Sequence, residues 1–161
     1  MADLHHVHTD SIDIAAPPST VFGVVTAMER YGEWSTENTG GYWRKNADGV
    51  PGTGKVGDMF VGTNSDGTKE WKAPVEIVEV EQDRVFAFVT GGLEWNIALW
   101  RYTLEPTADG GTRLTESYEL RTIPPTIAEG GPEALEDRKR ITVTSIRATL
   151  EGMKAAAEAA R

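Results

Sequence analysis

Hydrophobic and polar positions alternate with a period of two over residues 8–14, where Ile12 and Ile14 fall on one side and Ser11 and Asp13 on the other. That alternation predicts a half-buried strand. Ala15-Ala16-Pro17-Pro18 ends it, and Ser19 is placed to cap a short helix carrying Val21, Phe22, Val25 and Met28 at helical spacing. Tyr31 and Trp34 predict a second short helix or turn beneath the first. From Gly41 the period returns to two, giving strands over 41–45, 55–63, 70–81, 84–90, 94–105 and 112–122. Their links are short and rich in turn residues: Asn64-Ser65-Asp66-Gly67, Gln82-Asp83, Gly91-Gly92 and Ala108-Asp109-Gly110-Gly111. Strands joined so tightly are antiparallel neighbours. Pro74 lies inside one of them, which predicts a bulge or an unpaired backbone position there.

After Pro124-Pro125 and Gly130-Gly131-Pro132 the pattern becomes helical, from Glu133 to about Ala160. Leu135, Val143, Ile146, Leu150, Met153 and Ala157 form its apolar stripe, with Ile141 off it. The order of elements is one strand, two short helices, six strands and a long helix, an α+β arrangement read as one domain over 1–161. A seven-stranded antiparallel sheet with one apolar face needs a cover, and only the last helix is long enough to supply it. A twisted sheet curving round a straight helix meets it along a line, so a cavity is expected between them unless bulky side chains fill it.

Composition narrows the possibilities. Among 161 residues there is no cysteine, which excludes disulfides and thiolate metal sites. The opening Met1-Ala2-Asp3-Leu4-His5-His6 lacks the basic and apolar segments of a signal peptide, and no apolar run is long enough to span a bilayer. A cytoplasmic protein without integral membrane association is the expectation. The net charge of −9 repels a phosphate backbone at long range, so no nucleic-acid partner is expected. Arg138-Lys139-Arg140 is read as the polar face of a helix, with nucleic-acid contact as the alternative. Oligomeric state is left open.

Several stretches resemble the START-like helix-grip superfamily (SRPBCC), in particular its polyketide cyclase/dehydrase and lipid-transport group. They are Ser11-Ile12-Asp13-Ile14-Ala15-Ala16-Pro17-Pro18-Ser19-Thr20-Val21-Phe22, Tyr31-Gly32-Glu33-Trp34, Gly110-Gly111-Thr112-Arg113-Leu114-Thr115 and the helix segment around Thr149-Leu150-Glu151-Gly152-Met153-Lys154. The resemblance spans nearly the whole chain. It implies a curved sheet wrapped around the C-terminal helix, and a role among aromatase/cyclases, hydrophobic-ligand carriers or chaperone activators. A shared fold does not by itself assign a reaction.

Strand parity supplies the candidate chemistry. Asn96, Ala98, Trp100, Tyr102 and Leu104 share one face, as do Leu114, Glu116, Tyr118 and Leu120. Pairing Leu104 with Leu114 sets Tyr102 opposite Glu116 and Trp100 opposite Tyr118. A carboxyl on an apolar concave face has its charged form disfavoured, which suits acid or base work near neutrality. Glu116 with Tyr102, or alternatively Tyr118, as hydroxyl partner is therefore the catalytic candidate, removing a proton beside a ketone while the phenol stabilises the enolate. The structural alternative is a hydrogen-bonded carboxyl that only polarises the wall. Strand parity places no arginine inside.

The expected ligand wall comprises Trp34, Trp71, Asn96, Trp100, Tyr102, Glu116 and Tyr118 from the sheet side, and Ile146, Leu150 and Met153 from the helix. The tryptophans have core packing as their alternative. Access is expected between the start of the long helix and the loops 91–92 and 122–131. His5, His6 and His8 lack a third or fourth ligand partner and are read as a frayed terminus, so no metal or cofactor is expected. Gly49-Val50-Pro51-Gly52-Thr53-Gly54-Lys55 is followed by Val56 and a strand, not by Ser or Thr and a helix, which rejects a phosphate loop. The leading reading is a binder of a small or medium hydrophobic molecule, such as a lipid, polyketide or aromatic metabolite. A cyclase/dehydratase using Glu116 and a partner-binding regulator with a filled cavity are the alternatives.

Overall fold

The computed structural model describes residues 4–160. Met1, Ala2 and Asp3, read above for a signal sequence, lie outside them, as does Arg161. Strand β1 (His6–Ile14) leads into helix α1 (Pro18–Val25) and a 3-10 helix (Met28–Glu33). Strands β2 (Asn38–Trp43), β3 (Met59–Ser65), β4 (Glu70–Glu81) and β5 (Val85–Thr90) follow. A helical turn α2 (Gly92–Trp95) precedes β6 (Ala98–Pro106) and β7 (Thr112–Leu120), and α3 (Pro125–Ala128) precedes the long α4 (Gly131–Ala160). The strands form one antiparallel sheet in the order β1-β7-β6-β5-β4-β3-β2. From β2 to β7 each strand pairs with the next along the chain, and β1 closes back on β7 at the other side of the sheet.

Helix α4, about 45 Å long at ~1.5 Å per residue, lies across the concave face of the sheet. Its buried positions are Thr142, Ile146, Thr149, Leu150, Met153 and Ala157. Val143, expected in the stripe, is exposed, and Thr142 takes the inward place. One residue turns the helix by about 100°, so an apolar stripe read from sequence locates the buried face only to within that step. Gly152 lets the helix approach Trp34 closely: a Cβ there would sit 2.6 Å from Trp34 Cδ1 and 2.7 Å from its Cβ.

Several local expectations are corrected. Helix α1 is capped by Pro17, whose carbonyl accepts from the N–H groups of Thr20 and Val21, and Ser19 lies inside the first turn. Pro18 suits that start because its missing N–H falls where a helix has no acceptor to offer. Pro74 pairs with Val61 in regular register, and the irregularity of β4 falls between Ile77 and Glu79. Gly91 N–H donates to Pro74 O, so the side of Pro74 that lacks a donor faces past the end of β5. Residues 55–58 are loop, not strand. Asp58 Oδ2 accepts from the backbone N–H groups of Thr53, Gly54 and Lys55 at 2.8, 3.1 and 3.0 Å, and Asn46 Nδ2 donates to Oδ1 at 3.2 Å. The glycine-rich stretch thus wraps the protein's own carboxylate, which occupies the donors a phosphate would need.

His6 and His8 lie in strand β1, not in a frayed end, and His5 directly precedes it. His6 pairs with Leu120 and its ring stands 5.6 Å from that of Tyr118, edge to face. Among the described residues, no group of His, Asp and Glu is arranged to hold a metal ion. No helix among them is long and apolar enough to cross a membrane.

Candidate functional site

The pairing of β6 with β7 follows strand parity: Leu104 faces Leu114, Tyr102 faces Glu116 and Trp100 faces Tyr118. Glu116 is 3% exposed and Tyr102 2%. Tyr102 Oη donates to Glu116 Oε2 at 3.0 Å, while Oε1 has no partner among the described residues. Burial disfavours the carboxylate and pushes the Glu116 pKa to about 8, with the hydrogen bond from Tyr102 opposing and the Asp10 carboxylate on β1 reinforcing. Near neutral pH Glu116 is therefore mostly an uncharged acid. Burial likewise raises both phenols, Tyr102 and Tyr31, well above their usual range.

These groups stand on the wall of a cavity of about 220 Å³ between the sheet and the first half of α4. Its aromatic and apolar wall includes Tyr31, Phe60, Trp71, Phe88, Trp100 and Tyr102. The rings of Tyr31, Phe88 and Tyr102 lie 6.3–6.5 Å apart, centroid to centroid, so they support one another as a rigid panel. Trp100 Nε1 donates to Thr90 Oγ1 at 3.0 Å, which satisfies the indole and leaves its face to the interior. Tyr31 Oη donates to Val25 O at 2.6 Å and is likewise committed.

The roof is polar. Arg138, Thr142, Ser145 and Thr149 of α4 line the cavity together with Ile146. Glu37, just before β2, Asn38, its first residue, and Asn64 and Trp71, on β3 and β4, are half-buried lining residues. Arg138 makes a bidentate ion pair to Glu37, Nη1 to Oε1 at 2.7 Å and Nη2 to Oε2 at 3.0 Å. Two parallel bonds fix both planes and tie α4 to the segment before β2. The loops 91–92 and 122–131, expected to frame the access, contribute no lining residue.

Of the expected wall residues, Trp71, Trp100, Tyr102, Glu116 and Ile146 line the cavity. Trp34, Tyr118, Leu150 and Met153 are buried in the core beside it. Trp34 packs under Gly152, and Tyr118 lies against Trp100 at 4.5 Å between ring centroids. Asn96 is outside. It ends α2 in a left-handed conformation (φ 46°), before β6 begins, and its Oδ1 accepts from Arg121 Nη1 at 3.0 Å. The interior is not filled by side chains, which removes the premise of a solid-cored regulator.

Glu37, Arg138, Thr142 and Ser145 escaped the parity argument because they come from a loop and a helix. The spacing of Arg138, Thr142, Ser145 and Thr149, at steps of four, three and four, carried the signal. It continues the apolar stripe of Leu150, Met153 and Ala157 towards the N-terminus as a polar one.

The structure is similar to a Polyketide_cyc-like protein from Corynebacterium glutamicum, with 29% identity over 92% of this chain and 88% of that one and a TM-score of 0.63. The di-domain ARO/CYC BexL from the BE-7585A biosynthetic pathway matches at 18% identity over 95% of this chain and 50% of its own, with a TM-score of 0.72. A START superfamily protein from Mycobacterium smegmatis matches at 14% identity over 97% and 99%, with a TM-score of 0.70. The last two likenesses concern the fold alone. No curated protein matches the chain. A family described as polyketide cyclase / dehydrase and lipid transport matches residues 5–158. With a curved seven-stranded sheet gripping a long C-terminal helix, and with that match across nearly its whole length, the chain belongs to the polyketide cyclase/dehydrase and lipid-transport family of START-like helix-grip proteins.

Proposed function

We propose that this protein binds a small, largely apolar molecule in the cavity beneath the first half of α4. The observation that carries the reading is the cavity itself: about 220 Å³ of unfilled space walled by Tyr31, Phe60, Phe88, Trp100 and Tyr102. Dense interiors leave few voids larger than a water molecule, and an aromatic-walled one of this size is a ligand-sized exception. It lies below the ~300–1,000 Å³ of sites for drug-sized ligands, which favours a compact ring system over a two-chain lipid. Trp71 and Trp100 are on the wall, so an occupant changes their emission. Titration with a panel of fused-ring aromatics and single-chain lipids is expected to give a saturable fluorescence change with the former. No saturable change with any member would refute the reading.

The buried Glu116–Tyr102 pair favours a second reading, a cyclase/dehydratase. Its carboxyl, protonated near neutrality, would begin the cycle as an acid and not as the base that parity alone suggested. In that reading Glu116→Gln removes turnover of a poly-ketone substrate while ligand affinity persists. Undiminished turnover in the variant would take Glu116 out of the mechanism.

A further inference from the structure

We infer that protonation of His6 loosens the first half of α4 from strand β1, so that the roof of the cavity is released in mild acid. The seam between β1 and α4 is fastened unevenly. Along the second half of the helix, Arg147 pairs with Asp10 at 3.4 Å and donates from Nη2 to Ser11 O at 3.2 Å. Lys154 Nζ donates to Asp13 O at 2.7 Å, and Ala15 N–H donates to Glu158 Oε2 at 2.8 Å. Among the described residues, no hydrogen bond or ion pair ties residues 6–9 of β1 to α4. The first half of the helix is held elsewhere: by Arg138 on Glu37, by Ser145 Oγ at 3.4 Å from Ser35 Oγ, and by a hydrogen bond between Thr142 and Tyr118 of β7.

The unfastened stretch carries a titratable cluster instead. His6 and His8 stack with ring centroids 6.4 Å apart, and the His6 ring stands edge-on to Tyr118. His6 Nδ1 is buried with no partner among the described residues. A neutral imidazole can keep its proton on the other nitrogen, whereas the imidazolium carries N–H on both, and the buried one then has no acceptor. The charged and titratable groups facing His6 are His8 on its own strand, Tyr118 on β7, and Lys139 and Glu136 on α4. Burial holds the His6 imidazole below its usual range, and Lys139 and His8 add to that. Glu136, itself paired with Lys139 at 3.2 Å, opposes them. An imidazole released from the seam binds a proton more readily, so the closed seam is complete above the free value of 6.5 and weakens as pH falls below it. The half of α4 concerned brings Arg138, Thr142 and Ser145 to the cavity.

Hydrogen–deuterium exchange read by mass spectrometry tests this on the protein without ligand, so its outcome is separate from that of the apolar-ligand reading. Protection of residues 131–143 is compared with that of 147–160 of the same helix at about pH 7.5 and about pH 5.5, after correction for the intrinsic pH dependence of exchange. Lowering the pH is expected to reduce that ratio roughly three- to tenfold, the upper figure being the limit for one imidazole of pKa 6.5 at about one unit below it. His6→Phe keeps a ring against Tyr118 and His6→Gln keeps a polar side chain. Neither titrates, and both are expected to hold the ratio constant. An unchanged ratio in the wild-type protein, or the same fall in either variant, would overturn the inference.

Discussion

Replacing Glu116 by glutamine should change how the stability of this protein depends on pH. In the folded chain the carboxyl titrates near 8, raised from an ordinary 4.5 chiefly by burial. A carboxyl whose folded pKa is raised holds its proton in the folded state while the unfolded chain has already released it. The stability tied to that proton is full below about pH 4.5 and is lost progressively until the folded protein also ionises near pH 8. At ~1.4 kcal/mol per unit, the whole loss is of order 5 kcal/mol, of which about 4 kcal/mol falls between about pH 5 and about pH 9. That is a large share of the ~5–15 kcal/mol by which domains are stable. Glutamine is nearly isosteric with the protonated acid, keeps an oxygen for Tyr102 and does not titrate. Urea unfolding followed by tryptophan emission, with both proteins measured at several pH values, isolates the effect because other titrating groups cancel in the difference. The wild type is expected to lose several kcal/mol relative to Glu116→Gln across that range. Parallel stability profiles would refute the assignment of a buried, neutral Glu116.

Other substitutions test the frame around the cavity. Gly152→Ala is expected to lower Tm in a thermal melt, since overpacking against Trp34 at 2.6–2.8 Å costs about 1–3 kcal/mol against a helix-propensity gain of ~1 kcal/mol; a raised Tm would show that Trp34 yields freely. Leu150→Ala, at a position with no exposure, is expected to cost about 2–5 kcal/mol in denaturant unfolding. Asp58→Ala removes the acceptor of three backbone N–H groups and should speed amide exchange at Thr53, Gly54 and Lys55, whereas Leu150→Ala should not do so selectively. Those same bonds, Thr53's first, hold the Asp58 carboxyl below its usual range. Its contribution is therefore present above the ordinary carboxylate pKa and fades as pH falls through the lowered value, a loss that Asp58→Ala should abolish.

The sheet was legible because its information is local. A period of two assigns each residue a face, and the link Ala108-Asp109-Gly110-Gly111 is short enough to hold β6 and β7 in the register that sets Tyr102 against Glu116. The same logic failed at Asn96, where left-handed Gly91, Gly92 and Asn96 bracket a helical turn before the strand begins. It also misjudged β4, where the irregularity falls after Ile77, set by pairing with β5, and not at Pro74.

By itself, then, the amino-acid order determined the elements, the antiparallel sheet, the need for a covering helix and the inward face that carries Glu116. Only tertiary packing decided the rotation of α4 that turns Thr142 inward and Val143 outward, and brings Arg138 to Glu37. It also decided that Trp34 and Tyr118 join the core while Trp71 and Trp100 wall the cavity. Periodicity reports which side of an element is apolar. The space left between two curved surfaces depends on how closely they approach, and here that distance is set by contacts such as Trp34 on Gly152, more than a hundred residues apart.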